Sequence, residues 1–301
     1  MTSLPISIVL LVAASLAGHA TSQAGKIPTT PSSKTTPQSK TTPKKPPEAK
    51  WPPLKQVRKS LAKETLPRAA SANEERAAKA RKLILGYGPG VAPVLLEALR
   101  SRTKAKVRDV AVALLDKLIQ PKHGPLLARA YTGKNAIRDR YVIGKLAQFR
   151  SKTYLSVMRK AAHHKDPAVV ELASFALANL GDTAALPFLF EQTKTNWKER
   201  NYDIRVAGLA LKGDKATRWL LDRLFKEDTP TKMAALRLLG VAGVRKCAST
   251  VAAYLDSQQH QLRAGAVNAL RGIIDGDPPH RTLSVFQAIN AVKKWKARVG
   301  R

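Results

Sequence analysis

The sequence contains a single cysteine, Cys247, so no disulfide can form within the chain. A fold without disulfides depends on packing, which requires a sizeable apolar core. Aromatic residues make up only 5% of the chain whereas 44% is hydrophobic, so aliphatic side chains and alanine must supply that core. Cys247 itself lies in the apolar helical context "RKCASTVAAYL", which favours a buried structural thiol over a reactive one.

Acidic residues are scarce. The chain has 21 Asp and Glu against 53 Lys and Arg, which gives a formal net charge of +32. The excess is not confined to a tail, because residues 25–68 hold 11 cations and 2 acids, and residues 69–301 hold 42 and 19. Polyanions are therefore the expected non-specific partners.

Charged side chains are absent from residues 1–24, which include the apolar run "ISIVLLVAASLA" from Ile6 to Ala17. This run is short for a membrane span, which needs about 20 apolar residues, but it fits the apolar region of a secretory signal. Cleavage is possible after Ala20 or Ala24, and Ala24 is favoured because a polar, Pro-rich segment follows it. No Lys or Arg precedes the run, so an uncleaved anchor is the alternative. We expect an exported protein, whether periplasmic, in the cell envelope or secreted.

Residues 25–55 are rich in Thr, Pro, Ser and Lys and have almost nothing apolar to bury. Proline lacks an N–H donor and fixes φ, so this composition predicts an extended, disordered linker. We expect it to tether a folded domain, residues 56–301, to the export signal or to a membrane.

The folded domain is predicted to be all-α. It is rich in Ala and Leu, its apolar residues recur at i, i+3, i+4 and i+7, and it has no sustained two-residue alternation. Short breakers such as "GYGPG", "GD" and "DGDPP" separate helices of about 12 to 16 residues.

A small-large-large stripe recurs about every 31 residues along this domain. Only the fifth copy breaks the stripe, with Arg205 and Lys212 where the other copies are apolar. A unit that cannot bury its apolar face alone must stack on its neighbours, so the pattern predicts about seven helix pairs between Asn73 and Val299. The central residues of the clearest copies are Leu115, Leu146, Leu177, Leu209, Leu239 and Leu270.

The best-preserved copy, "DPAVVELASFALANLGDTAALPFLFEQT", resembles the compact HEAT-like repeat of the type named after phycobilisome lyases. It has an Asp-Pro start, an Ala-Leu-rich first helix, a Leu-Gly-Asp turn and an apolar second helix in that order. The resemblance covers about residues 73–299 and implies a right-handed α-solenoid that binds a partner through its concave face. It does not identify the ligand, because the same fold serves scaffolds, lyases, a hydroxylase and a DNA glycosylase.

The enzymatic members implied by this resemblance need residues that are largely missing. Iron-binding hydroxylases use His-Glu pairs, and no His-Glu dipeptide occurs here. The one adjacent histidine pair, His163 and His164, is expected to lie solvated at a helix end. Trp197, Asp203 and Trp219 make only a weak glycosylase-like set. We therefore predict no enzyme and no catalytic, cofactor or metal site.

Positive charge with positional order is the remaining pattern. In HEAT-like solenoids the second helices line the concave surface, so cations at repeated positions there form either an anion-binding stripe or a solvated face. Glu191 interrupts this pattern. Aligned by the repeat, the candidate residues are Arg129, Lys160 and Arg223 at one position, and Lys194 and Lys226 with His163 three residues further on.

The C-terminal segment "KKWKARVGR" adds Lys293, Lys294 and an interfacial Trp295, a combination that suits an anionic lipid or polyanion as well as a solubilising cap. The predicted function is an exported, non-enzymatic scaffold that binds a protein partner. The first alternative is a basic protein that binds nucleic acid, an acidic cell-envelope polymer or an anionic lipid surface. A lyase or DNA glycosylase on the same scaffold comes third.

Overall fold

The structure, a computed structural model, describes residues 50–226, 228–280 and 282–300. The predicted export signal and all but the end of the predicted linker lie outside the described residues. Within them the chain forms helices and turns without a β-strand, which confirms the all-α prediction. Trp51 and Leu54 pack against the core, and the Trp51 and His123 ring centroids are 5.8 Å apart, so the packed domain starts at Trp51.

Fifteen α-helices are present in the described residues, and they form one leading helix and seven hairpins. The leading helix is α1 (Gln56–Ala69). The first helices of the hairpins are α2 (Glu74–Leu85), α4 (Ala105–Leu118), α6 (Ala136–Gln148), α8 (Pro167–Asn179), α10 (Trp197–Ala210), α12 (Thr229–Ala242) and α14 (His260–Leu270). The second helices are α3 (Ala92–Ala98), α5 (Gly124–Arg129), α7 (Leu155–Ala161), α9 (Leu186–Thr195), α11 (Asp214–Leu224), α13 (Ala248–Ala252) and α15 (Val285–Val299).

Side-chain caps fix where several first helices begin. Asn73, Asn135, Asp166 and Asp228 each accept hydrogen bonds from backbone N–H groups in the first turn of the helix that follows. These four residues are spaced by 62, 31 and 62 positions, which are whole multiples of 31. The start of each of these helices is therefore set by the same repeat that sets the core.

The core follows a strict 31-residue period through all seven hairpins. Each second helix from α3 to α13 packs against the first helix of the next hairpin, and neighbouring first helices from α6 to α14 pack against one another, which gives a continuous apolar interior. One residue from each hairpin occupies the central core position. These residues are Ile84, Leu115, Leu146, Leu177, Gly208, Leu239 and Leu270. The isoleucine and leucine side chains are fully buried, and the glycine is buried as well.

The fifth hairpin obeys this period, and the sequence prediction for it was wrong by one residue. Leu209, predicted as its central core residue, is 61% exposed, whereas Gly208 is buried. Ile204 and Leu211, at 0% and 4% exposure, occupy the flanking core positions that were assigned to Arg205 and Lys212. The stripe therefore does not break in the fifth copy. Its central residue is a glycine, and because glycine has no apolar side chain, the sequence pattern does not mark this position as the core position.

Candidate partner-binding surfaces

The basic stripe predicted on the second helices, already interrupted at Glu191, is interrupted again at the next repeat. The strict period extends into these helices, because Ala185 and Ala216 are both buried, as are Leu189 and Leu220. The corresponding surface position is held in order by Arg129, Lys160, Glu191 and Asp222, so two cations are followed by two acids. Arg223 and Lys226 each lie one residue beyond the positions to which the sequence prediction assigned them.

Arg223 and Lys194 are engaged within the fold. The Arg223 guanidinium lies 3.3 Å from the centroid of the Trp219 ring and donates to the Trp219 carbonyl, so it stacks on its own helix. Lys194 Nζ donates to Thr231 Oγ1 at 3.2 Å and lies 4.0 Å from Asp228 Oδ1, so it joins the end of α9 to the start of α12. Arg129, Lys160 and Lys226 have exposed side chains.

The C-terminal candidates divide between surface and core. Lys293 and Lys294 are exposed on α15, but Trp295 is only 7% exposed and belongs to the core. The prediction of an interfacial tryptophan was therefore wrong. The physical reason is helical spacing, because Ala288 and Trp295 lie seven residues apart on the face of α15 that packs against α13 and α14. Arg298 covers the outer face of the indole at 4.7 Å.

The outer face of α10 carries a stripe that the sequence analysis missed. Tyr202 and Leu209 are 64% and 61% exposed and lie seven residues apart, on one side of the helix. Lys198 and the partly exposed Arg205 continue this line within α10, and Lys212 follows in the turn after the helix, so that charged and apolar residues alternate at spacings of 4, 3, 4 and 3. We call Lys198, Tyr202, Arg205, Leu209 and Lys212 the α10 stripe.

The α10 stripe is specific to the fifth hairpin. One repeat before Leu209 the residue is Ala178, which is fully buried, and one repeat after it is Gly240. The sequence contained a clue to this surface in Arg205 and Lys212, which broke the apparent core pattern. Because these two cations were assigned to the core with Leu209, their true place on an exposed line was not recognised.

The histidine pair is divided between surface and interior. His163 is exposed as predicted, but the His164 side chain is only 4% exposed, so the prediction that both are solvated was wrong. His164 Nδ1 accepts a hydrogen bond of 2.9 Å from the backbone N–H of Asp166, and its Nε2 lies 3.6 Å from Asp139 Oδ2. One ring nitrogen is therefore occupied by the backbone, and the other lies buried beside the Asp139 carboxylate of α6 without a hydrogen bond.

A cleft of about 510 Å³ opens beside this pair, between the start of α6 and the start of α8. Lys134 and Lys165 line it from the two loops, but Asp166 also lines it and is held there by a bidentate contact from Arg140, at 3.0 and 2.6 Å. Asp166 and Asn135 cap the two helices, so the backbone donors that these caps engage are already occupied.

Comparison with known proteins agrees with this architecture. A family model described as HEAT repeats matches residues 124–207, which run from the start of α5 into α10. HEAT repeats are thus present at residues 124–207. No curated protein matches the chain. Among solved structures, the crystal structure of an engineered protein has 17% sequence identity over 73% of this chain and 91% of that chain, with a TM-score of 0.27, which is too low to support an argument.

Ion pairs join neighbouring hairpins and engage many of the few acidic side chains. Examples are Asp116 with Lys145 at 2.8 Å, and Glu171 with Arg200 at 2.7 Å. Exposed pairs of this kind contribute little stability individually, typically about 0–1 kcal/mol. Their consequence for the surface is larger, because the acids pair with a minority of the cations and leave the exposed faces of the repeats positive.

Each residue of the glycosylase-like set contacts an arginine of the fold. Trp197 and Trp219 each lie under an arginine, and Asp203 is 3.7 Å from Arg200. In the described residues, no group of three or more His, Cys, Asp or Glu side chains is placed to hold a metal ion. Within the same part of the chain, no helix combines the length and the apolar character needed to cross a membrane.

Proposed function

We propose that this HEAT-repeat chain is a non-enzymatic scaffold that binds an acidic protein partner, with the α10 stripe as part of its contact surface. HEAT repeats commonly mediate protein interactions, and stacked repeats offer extended surfaces for them. The observation that carries the proposal is the pair of exposed apolar side chains, Tyr202 and Leu209, on one side of α10. The neighbouring first helices have a buried alanine or a glycine at the position of Leu209.

The composition of the α10 stripe indicates the chemistry of the partner. Covering Tyr202 and Leu209 would remove apolar surface from water, which is worth up to about 1.5–3 kcal/mol for each side chain that becomes fully buried. The cation between them, Arg205, and the flanking Lys198 and Lys212 favour carboxylates at matching positions. A partner helix with apolar residues spaced by seven and Asp or Glu between them meets both requirements.

A protein partner accounts for the stripe better than a polyanion does. A nucleic acid or acidic polymer is held mainly through its charges and needs a run of cations. The second helices lack such a run, because Glu191 and Asp222 follow Lys160 along the stack. For a nucleic acid or an acidic polymer, the main support is therefore the net charge of +32.

A pull-down from the cell-envelope fraction at two salt concentrations tests the proposal. The wild-type chain should retain a protein partner at moderate salt, and Leu209→Ser should lose it. Val57→Ser is the matched control, because Val57 is 78% exposed on α1 and also loses an exposed aliphatic side chain. Retention that disappears with salt, weakens on charge reversal at Lys160, Arg223 and Lys226, and ignores Leu209→Ser would establish the polyanion alternative instead.

We also propose that the chain is exported, on the support of the uncharged apolar run from Ile6 to Ala17 followed by a Pro-rich polar segment. Fractionation of the producing cell and sequencing of the mature N-terminus test this. A mature chain that begins at Gly25 in an exported fraction is the expected result. A chain found wholly in the cytosol would refute it.

A further inference from the structure

The last helix of the stack, α15, has an apolar outer surface that the fold leaves uncovered. Val285, Phe286 and Ile289 are 56%, 72% and 42% exposed. The opposite face of α15 buries Ala288 and Trp295 against α13 and α14. Exposed apolar side chains that lie together on one helix mark a surface for a partner or a membrane, so these three require an explanation.

The charges on α15 are all of one sign. Its sequence, "VFQAINAVKKWKARV", contains four cations and no acid. Lys296 pairs with Asp256 and Arg298 pairs with Asp275 at 2.5 Å, so these two are directed back towards the domain. Lys293 and Lys294 are exposed, and neither makes a salt bridge among the described residues. Lys293 follows Ile289 by one turn, so a cation extends the same side of the helix as the apolar cluster.

From these observations we infer that α15 docks the C-terminal end of the stack onto an anionic lipid bilayer. Phe286, Ile289 and Val285 enter the boundary between headgroups and acyl chains, while Lys293 and Lys294 contact lipid phosphates. An interfacial helix needs this combination of a small apolar cluster and unpaired cations without acids. An acidic bilayer complements the helix along its whole exposed side. The inference rests on α15 alone and is independent of the α10 stripe.

The test uses the full chain, with Asn290→Cys carrying a polarity-sensitive fluorophore. Asn290 is exposed one turn from Phe286, and the native Cys247 is 2% exposed and is not expected to label. This readout reports on α15 whether or not the N-terminal apolar run also touches the vesicles. Vesicles of phosphatidylcholine, with and without phosphatidylglycerol, are titrated at low and high salt. A label at Gln261→Cys on α14 is the matched control.

We expect the emission of the fluorophore on Asn290→Cys to shift to the blue with anionic vesicles and to shift less with neutral vesicles. The fluorophore on Gln261→Cys should not shift. Adding Phe286→Ser should raise the lipid concentration at half-saturation about tenfold, because insertion of a large apolar side chain is lost. Leu209→Ser should leave the titration unchanged. The inference fails if the emission of the label on Asn290→Cys does not shift, or if the label on Gln261→Cys shifts equally. It also fails if Phe286→Ser does not change the lipid concentration at half-saturation. The last result would mean that the net charge alone adsorbs the protein.

Discussion

Gly208 of α10 lies directly against Val241 of α12. A Cβ atom built on Gly208 would lie 3.4 Å from Val241 Cγ1 and 3.8 Å from Leu238 Cδ2. The same position holds isoleucine or leucine in the other six hairpins. A glycine at a helix crossing lets the two helices approach closely, so the junction between the fifth and sixth hairpins is packed differently from the others.

This packing makes opposite predictions for two substitutions at one position. Gly208→Ala should raise the free energy of unfolding by up to about 1 kcal/mol, because alanine favours the helix and its Cβ meets only ordinary contacts. Gly208→Leu restores the residue type of the repeat, but it should lower the free energy by about 1–3 kcal/mol through overpacking. Denaturant unfolding measures both changes.

A second glycine provides the control. A Cβ on Gly272 would overlap the carbonyl oxygen of Gly240, so Gly272→Ala should destabilise where Gly208→Ala does not. Stabilisation by Gly208→Leu would contradict the register described here, since it would mean that the position has room for the leucine of the repeat.

The sequence determines the fold well and the surface less well, and Gly208 explains why. In the other hairpins a large apolar residue marks the central core position, so helices, hairpin number and buried faces can be predicted from the period. At Gly208 that marker is absent and Leu209 stands next to it. The resulting one-residue error hid the α10 stripe and placed Arg223 in a basic row to which it does not belong.

The spacing itself carried the missing information. Asp166 and Asp228 are 62 residues apart, two whole periods, so the 32-residue step from Leu177 to Leu209 had to be offset by a 30-residue step to Leu239, whereas Gly208 divides the span evenly. Trp295 was misassigned for another reason. Its charged neighbours suggested a surface, but the helical periodicity with Ala288 decides which way the indole points, and that requires knowing which face of α15 is packed.

Because His164 is buried beside Asp139 and His163 is exposed, we expect these two adjacent histidines to contribute differently to the free energy of unfolding. Asp139 has no exposed surface and accepts hydrogen bonds from the backbone N–H groups of Thr132 and Asn135, at 3.1 and 3.3 Å. His164→Ala removes the imidazole that faces this carboxylate and should lower the free energy of unfolding by about 1–3 kcal/mol. His163→Ala, at an exposed site, should change it by less than about 0.5 kcal/mol. Equal effects in thermal unfolding would show that burial beside Asp139 does not distinguish the two histidines.

Asp166 should contribute to the loss of stability in acid. Its hydrogen bond from Arg140 lowers the pKa of the Asp166 carboxyl, helped by the backbone N–H groups of Val169 and Ala168, against an opposing effect of burial. A folded-state pKa below the ordinary 3.8 means that the stabilisation is present above pH 3.8 and is lost as the pH falls through the folded value.

Replacement of Asp166 by asparagine tests this linkage. Asp166→Asn should lower stability at neutral pH and flatten its decline below about pH 4, measured by denaturant unfolding across the acid range. Asp222→Asn is the control, because Asp222 is exposed and makes no salt bridge among the described residues. A decline in Asp166→Asn as steep as in the wild type would mean that other carboxylates carry the acid sensitivity.

The reactivity of the Cys247 thiol reports how tightly the sixth hairpin is packed. Cys247 is 2% exposed and occupies the buried position that Ala216 holds one repeat earlier, and burial raises the pKa of its thiol. Both effects oppose reaction, since the reagent must reach the sulfur and the thiolate is the reactive form. Ser249→Cys, two residues further on and exposed, should react with a thiol reagent at least about 100-fold faster at pH 8 than Cys247 does. Cys247 can react only when α13 leaves the core, so in denaturant its reaction rate should rise to that of Ser249→Cys. Equal reaction rates in the native protein would mean that this helix is not packed as described.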